Sequence, residues 1–382
     1  MIINKGVAAM DIKDIIIIAL VLIVCIGGYF SYKQFRKNKR EDSLATILFA
    51  NGIMLIISSS SSFIDKILVG IGVISKYDNA ASLAGEFNIF YFILGCVLIL
   101  LSIVLSLYSR KKLYLLNING YTSMRVESYI PTIKVQNSDF KEREIDFINI
   151  YKHIFSVKKD KDSFECIKDE IRDKVTAFKN ETIKITKGYT GIAPIPFIMY
   201  AGTFMDRVKI DEYYEYDKID TKNYYTLKDK SIINKYPELK DCTNLNEFDE
   251  NKNEIVAAVS LTRQITETQL IQFIDSSNVI KFEVDNPDDN IITYKQQLSE
   301  YVNLIINKFE QLIRDYPNTT KIHFVYSGQS CLAFEIGKRC VDSTRIPQII
   351  SYQFENQNQV VKYPWGIVIN GSHKGDLIRK EV

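Results

Sequence analysis

The chain is poor in the side chains that carry metal and proton-transfer chemistry. Its three histidines, His153, His323 and His373, lie far apart in 382 residues, and their spacing gives neither a metal set nor a triad with a nucleophile. The six cysteines, Cys25, Cys96, Cys166, Cys242, Cys331 and Cys340, include no CxxC pair. That excludes a zinc ribbon or thioredoxin-type motif and reads as free or buried thiols in a reducing compartment, without a disulfide frame. No strong charge of one sign is present either: the net charge is +2, made of +5 over residues 1–112 and −3 over residues 113–382. The larger part is therefore not a general nucleic-acid binder, no DNA partner is expected, and any phosphate it holds has to be gripped locally. At 46% hydrophobic residues the chain has material for two or three domains.

Apolar length is concentrated at the amino end. Residues 15–32 form an uncharged run near the length that crosses a hydrocarbon core of about 30 Å, preceded by Asp11 and Asp14 where a signal peptide would carry positive charge. Further apolar runs cover residues 43–64 and 88–108. Residues 67–75, bracketed by Asp65, Lys66 and Lys76, are too short to cross and read as interfacial or re-entrant. Basic clusters follow the first run (Lys33, Arg36, Lys37, Lys39, Arg40) and the third (Arg110, Lys111, Lys112). The positive-inside rule places both in the cytoplasm only for an odd number of crossings. The expectation is a transmembrane domain over residues 1–112 with spans at about 15–32, 43–64 and 88–108. Gly27, Gly28, Gly95 and the small polar residues 58–62 would allow close helix contact.

Residues 113–149 read as a connector with one or two short strands, and residues 150–382 as a cytosolic α/β domain. Phe164, Ile167, Ile171 and Val175 mark one helix; Tyr301, Leu304, Ile305, Phe309 and Leu312 mark another, over residues 298–316. Residues 213–225, rich in Tyr and Asp, are expected to hold a twisted strand pair whose rings pack into the core. Three times the chain makes strand, polar loop, helix: strand 182–186 with loop 187–191, strand 255–260 with loop 261–263, and strand 322–326 with loop 327–330. The last unit continues into a strand at 348–352. Repeated βαβ units of this kind gather their loops at the carboxyl edge of a parallel sheet, where open α/β folds bind ligands.

The stretches GYTGIAPIPFIMYAGTFMD, IVAAVSLTRQI and HFVYSGQSCLAFEIGKRCVDSTRIPQIISYQF resemble the SAVED domain, the cyclic-oligonucleotide sensor fused to assorted effectors in bacterial anti-phage CBASS systems. The resemblance covers roughly residues 150–372. It implies two fused CARF-like, Rossmann-type halves and a cyclic di- or trinucleotide, supplied by a cyclic-nucleotide synthase, bound across the strand-end loops. No cofactor, metal or catalytic residue is implied.

A cyclic oligonucleotide needs cations and N–H groups for its phosphates and amide, hydroxyl or aromatic groups for its base edges. Lys187 and Arg263 are the cations of the first two loops; Tyr189, Thr190, Ser260, Thr262, Ser327, Gly328, Gln329 and Ser330 supply the rest. Each taken singly is also an ordinary turn residue. With the expected spans, the reading is a multi-pass effector of the bacterial inner membrane, its sensor cytoplasmic, that homo-oligomerises on binding the messenger and disrupts the lipid bilayer without enzymatic activity. Two rivals stay open. One is a membrane-anchored nucleotide-cleaving enzyme with Ser260 or Ser327 as nucleophile, and the other is a membrane anchor that recruits a protein partner.

Overall fold

The structure, a computed structural model, describes residues 40–58, 89–108, 112–126, 139–158, 160–183, 185–229, 236–341, 346–356 and 361–380. The chain divides into two units, Met1–Arg110 and Lys111–Val382.

In the first unit, α1 (Arg40–Ser58) and α2 (Ile89–Tyr108) pack on each other where two glycines let the backbones meet. A Cβ on Gly52 would stand 2.8 Å from the Gly95 carbonyl oxygen, and one on Gly95 would stand 2.7 Å from that of Gly52. Ser102 Oγ donates to the Ala45 carbonyl at 2.7 Å across the same seam.

The expectation of a three-helix transmembrane region is corrected. Among the described residues no helix is long and apolar enough to cross a membrane. Helix α1 carries Arg40, Glu41 and Asp42 in its first turn. The multi-pass inner-membrane location rested on the same spans and is corrected with them. The expected first span, residues 15–32, and the re-entrant segment 67–75 lie outside the described residues.

The second unit holds two sheets. The first is ordered β2-β1-β3-β4-β5, from β1 (Lys112–Asn119), β2 (Asp139–Asp146), β3 (Thr186–Ile192), β4 (Glu212–Tyr216) and β5 (Tyr224–Thr226). Strand β1 runs parallel to both β2 and β3, β3 parallel to β4, and β5 returns antiparallel. The segment expected to be a connector thus supplies two strands. In β1 all of Leu113–Asn119 is buried, as a strand inside a covered parallel sheet requires. The amide nitrogens of its two asparagines are held by the edge strand, Asn117 Nδ2 donating to Glu142 and Asn119 Nδ2 to Glu144, while both Oδ1 atoms are buried without a partner among the described residues.

Helix α3 (Lys161–Glu181) starts at Asp160, whose carboxylate accepts from Ser163 N at 2.8 Å. Phe164, Ile167, Ile171, Val175 and Phe178, spaced three and four apart, are fully buried and form the stripe that holds it on the sheet.

The second sheet is ordered β12-β11-β10-β9-β7-β8-β6. Its strands are β6 (Lys240–Asp241), β7 (Glu254–Ser260), β8 (Ser277–Glu283), β9 (Lys321–Ser327), β10 (Gln348–Gln353), β11 (Trp365–Val368) and β12 (Leu377–Arg379). The four central strands, β10-β9-β7-β8, are mutually parallel, and β6, β11 and β12 are antiparallel additions. The connecting helices are α5 (Glu267–Ile274) and α6 (Lys295–Asp315).

Two helices join the halves. Helix α4 (Ile195–Gly202) follows β3, and α7 (Ser330–Cys340) follows β9. They cross so closely that a Cβ on Gly202 would lie 2.2 Å from the Phe334 carbonyl oxygen and one on Gly337 would lie 2.1 Å from that of Met199. Nearby, Tyr189 of β3 stacks on Phe334 of α7 with ring centroids 3.9 Å apart.

Candidate functional site

The parallel registers bring several strand ends level. Ser260 of β7 stands opposite Ser327 of β9 and Glu283 of β8, and Asn119 of β1 stands opposite Ile192 of β3. At these carboxyl ends, and between the two sheets, lies a cleft of about 220 Å³. The first sheet contributes Tyr121, Gly191, Ile192, Ala193, Ile195, Glu215, Tyr216 and Lys218; the second contributes Thr262, Asp289, Asn290, Gly328, Gln329 and Ser330. The amino ends of α4 and α7 both open on it.

The turns are tied by their own polar groups. Leu261 N and Thr262 N donate to the Ser327 carbonyl at 2.8 and 3.0 Å. Ser327 Oγ is 3.0 Å from Thr262 Oγ1 and accepts from Arg263 N at 3.1 Å. Ser260 Oγ accepts from Ile265 N at 3.1 Å. Gln329 is fully engaged: its Oε1 accepts from Ile292 N at 2.6 Å, and its Nε2 donates to Tyr225 Oη and the Ile292 carbonyl. It thereby pins the loop after β8 to the amino end of α7. Tyr326 Oη, donating to the Gln329 carbonyl at 2.8 Å, occupies the space a Cβ on Gly328 would take, 2.2 Å away, so any larger residue there has to displace that ring.

The charges are local and mixed. Glu215 is 7% exposed; its Oε1 accepts from Cys331 N at 2.8 Å and from Ser330 Oγ at 3.1 Å, so a carboxylate caps α7. Burial pushes its carboxyl above the ordinary value, against the pull of those donors. Backbone N–H groups, Thr221 foremost, hold the Asp217 carboxyl well below its usual range and fix the loop that carries Lys218. The α4 amino end has a neutral partner, with Ile195 N donating to Gln353 Oε1 at 3.1 Å. Tyr121 stands edge-on to Tyr151, centroids 5.6 Å apart, and burial raises its hydroxyl to about 12. Tyr216 stands edge-on to Tyr224 at 5.2 Å. Tyr121 and Tyr216 both border the cleft, and aromatic side chains are the residue type that stacks on bases.

The sequence pattern across this region matches the family model of the "SMODS-associated and fused to various effectors sensor domain", SAVED, over residues 167–369. The chain belongs to the SAVED family. Among solved structures it is similar to the Acinetobacter baumannii Cap4 SAVED/CARF-domain receptor with the cyclic trinucleotide 2′3′3′-cAAA, at 12% identity and a TM-score of 0.45, covering 75% of this chain and 56% of that one. It is similar to the same receptor with 3′3′3′-cAAA at 11% identity and a TM-score of 0.44, covering 85% and 76%. With the Moraxella osloensis Cap4 receptor the identity is 12% and the TM-score 0.39, covering 77% and 63%. The SAVED chain thus spans about 56% of the first of these proteins. No curated protein matches it.

Within this SAVED domain the residues singled out from sequence divide into three groups. Thr262, Gly328, Gln329 and Ser330 line the cleft. Ser260 and Ser327 are the last residues of β7 and β9, their hydroxyls bound to groups of the turn that follows β7, and Arg263 sits exposed in that turn. Lys187, Tyr189 and Thr190 are corrected: they lie on β3, not in a loop. Lys187 is at the strand's amino end, its Nζ donating to the Ile185 carbonyl at 3.2 Å, while Tyr189 and Thr190 are buried within the sheet.

Among the described residues neither Ser260 nor Ser327 is hydrogen-bonded to a basic side chain. His323 is buried near the amino end of β9, with Nε2 2.9 Å from Glu254 Oε2 and Nδ1 3.1 Å from Tyr352 Oη. Among the described residues no group of three or more His, Cys, Asp and Glu could hold a metal ion.

Sequence reasoning missed Tyr121, Glu215, Tyr216, Lys218, Asp289 and Asn290. The polar turn 286–290, NPDDN, after an apolar strand was the available signal for the last two. A second concavity of about 240 Å³, bordered by Cys242, Phe248, Lys252 and Asn278, lies toward the amino edge of the second sheet, away from the edge where such folds bind ligands.

Proposed function

We propose that the chain is a receptor for a cyclic di- or trinucleotide in an anti-phage defence system, and that one unit of the ring enters the cleft between the two sheets. The observation that carries this is convergence. Strand ends from both halves, the amino ends of α4 and α7, two edge-braced tyrosines and Lys218 meet around one concavity in a domain whose family is a sensor. At about 220 Å³ the cleft falls below the range of about 300–1,000 Å³ of sites that enclose a whole ligand. It suits a base with its sugar, the rest of the ring lying over the rim toward Arg263.

The receptor is proposed to return its ligand unchanged, since the two candidate nucleophiles serve as turn ties. A cyclic-nucleotide synthase supplies the messenger. Binding drives self-association through this domain only if the assembled form holds the ring more tightly than the free one. Disruption of a membrane rested on the three spans and has no support among the described residues.

Calorimetry with a panel of cyclic di- and trinucleotides tests the reading, followed by mass spectrometry of the recovered ligand and sedimentation with and without it. Saturable binding of at least one ring, recovered intact, is expected. No binding across the panel sinks the receptor reading, and a linearised product replaces it with the cleaving enzyme.

A further inference from the structure

Helix amino ends facing a cleft ordinarily receive anions, because their first N–H groups lack intrahelical partners. At α7 that place is already taken from inside the chain. Glu215, on the neighbouring sheet, directs Oε1 to both Cys331 N and Ser330 Oγ. A ligand phosphate at the same spot would meet a carboxylate.

The second oxygen is the informative one. Glu215 is 93% buried and borders the cleft; Ser330 Oγ and Cys331 N both donate to Oε1, and among the described residues the Cys331 thiol is the one other group that interacts with the carboxyl at hydrogen-bond range, which leaves Oε2 with accepting capacity to spare. It is not among the sealed, unpaired polar atoms of the domain either, so it opens to the cleft. A ligand that covers this oxygen without supplying a donor leaves it buried and unpaired, at a cost on the order of 1–3 kcal/mol, and a ligand that brings a donor avoids that cost.

We propose that Glu215 is a specificity-determining residue of the cleft: its Oε1 closes the amino end of α7 to phosphate, and its Oε2 accepts a hydrogen bond from the exocyclic amino group of a base. This rests on the receptor reading and sharpens it, since the recognised ring must carry at least one amino-bearing base. A site built to accept from an N–H rejects the analogue that lacks it, because its own polar group is then left unpaired.

The test compares whichever ring of the calorimetric panel binds best with analogues that lack one amino group, adenine replaced by unsubstituted purine or guanine by hypoxanthine, one position at a time. In the wild type, one replacement weakens binding on the order of 10–100-fold. In Glu215→Gln, which keeps an oxygen for Ser330 and Cys331, the same pair of rings differs by less than about threefold. Glu215→Ala uncaps the helix, and titration with inorganic phosphate alone then shows at least tenfold tighter binding than the wild type.

Wild-type binding that is indifferent to every amino group overturns the inference and leaves the receptor reading standing. Discrimination that survives intact in Glu215→Gln also overturns it. A panel in which no ring binds overturns the receptor reading itself. In that case the phosphate titration still decides whether Glu215 closes the helix end, and a folded Glu215→Ala without phosphate affinity rejects the closure.

Discussion

The joint between the two halves gives a sharp mechanical prediction. At the α4–α7 crossing, a Cβ on Gly337 would stand 2.1 Å from the Met199 carbonyl oxygen and 2.9 Å from its carbonyl carbon. A carbon set against a carbonyl oxygen needs about 3.3–3.6 Å, so Gly337→Ala requires the helices to separate by more than about 1 Å. A gap of that size forfeits a quarter to a half of the dispersion attraction of the atom pairs that straddle it. Overpacking costs about 1–3 kcal/mol, and the upper end applies because the obstacle is main chain, which cannot swing aside. Alanine's better helix propensity returns about 1 kcal/mol. The net loss is about 2 kcal/mol, a fall in Tm of about 4–8 °C for a unit of this size.

The same obstruction operates at Gly202, 2.2 Å from the Phe334 oxygen. Once one alanine has opened the crossing, the second should cost less than it does alone. Gly371 is the control. Its φ is +80° and nothing lies within 4 Å of a Cβ there, so Gly371→Ala pays only the left-handed backbone penalty of about 1–2 kcal/mol. Thermal unfolding and ring calorimetry on the three single variants and the Gly202/Gly337 double variant form the assay. Gly337→Ala should weaken ring binding beyond what Gly371→Ala does, because it moves the two helix ends that border the cleft. A Gly337→Ala protein melting within 1 °C of the wild type, or strict additivity in the double variant, refutes the reasoning.

Trp365 is fully buried, with its ring centroid 4.9 Å from that of Phe155 and 5.4 Å from that of Phe197. Trp365→Ala should cost about 3–5 kcal/mol by urea titration, and a loss under 1 kcal/mol would contradict this packing. Burial raises the Glu215 carboxyl, so the folded state holds that proton more tightly than the unfolded one. The resulting penalty is absent below the ordinary value of about 4.3 and grows as pH rises through the folded value. Glu215→Gln should therefore be more stable than the wild type at pH 8 and equal to it near pH 4; the opposite trend in melting scans would reverse the sign. Lys218→Ala should weaken ring binding about three- to tenfold and make the slope of log affinity against log salt shallower by about one. An unchanged slope would remove Lys218 from the phosphate contacts.

The strands that were legible in the sequence are those with an uninterrupted apolar run. β7, β9 and β10 fall within a residue or two of their expected places because Ile255–Val259, Ile322–Tyr326 and Ile349–Tyr352 can only be buried. β3 did not, and the reason is physical. Its glycines, Gly188 and Gly191, read as loop residues, but they serve close approach. A Cβ on Gly188 would stand 2.7 Å from Leu115 Cδ1, and one on Gly191 would stand 2.7 Å from the Tyr189 hydroxyl. Meanwhile Ile183, which gave the apparent alternation upstream, is 76% exposed in the turn after α3. Shifting the strand forward moved Lys187 from the ligand edge to the opposite end of the sheet. Within residues 113–149 the sequence marks one or two short strands, but not that β1 lies inside a covered sheet, because Asn117 and Asn119 interrupt its apolar run and are held there by β2's glutamates.

The cleft was legible by halves. Each strand-loop-helix unit announces its own polar turn, and Thr262, Gly328, Gln329 and Ser330 were found on that basis. What lies opposite them depends on how the sheets are joined, and that is set by Gly202 and Gly337 meeting main chain across a helix crossing. Neither glycine carries any mark in the sequence that names its partner. Glu215 follows the same logic, since in isolation it is one acidic residue in a tyrosine-rich hairpin. It becomes the cap of α7 only because the crossing delivers Cys331 N and Ser330 Oγ to its carboxylate. The residues that would distinguish one ring from another are therefore products of the pairing of halves. Substitutions at the crossing should alter which ring is preferred, as well as how tightly it is held, and a Gly337→Ala protein that keeps the wild-type rank order of rings at reduced affinity would separate the joint from the choice of ligand.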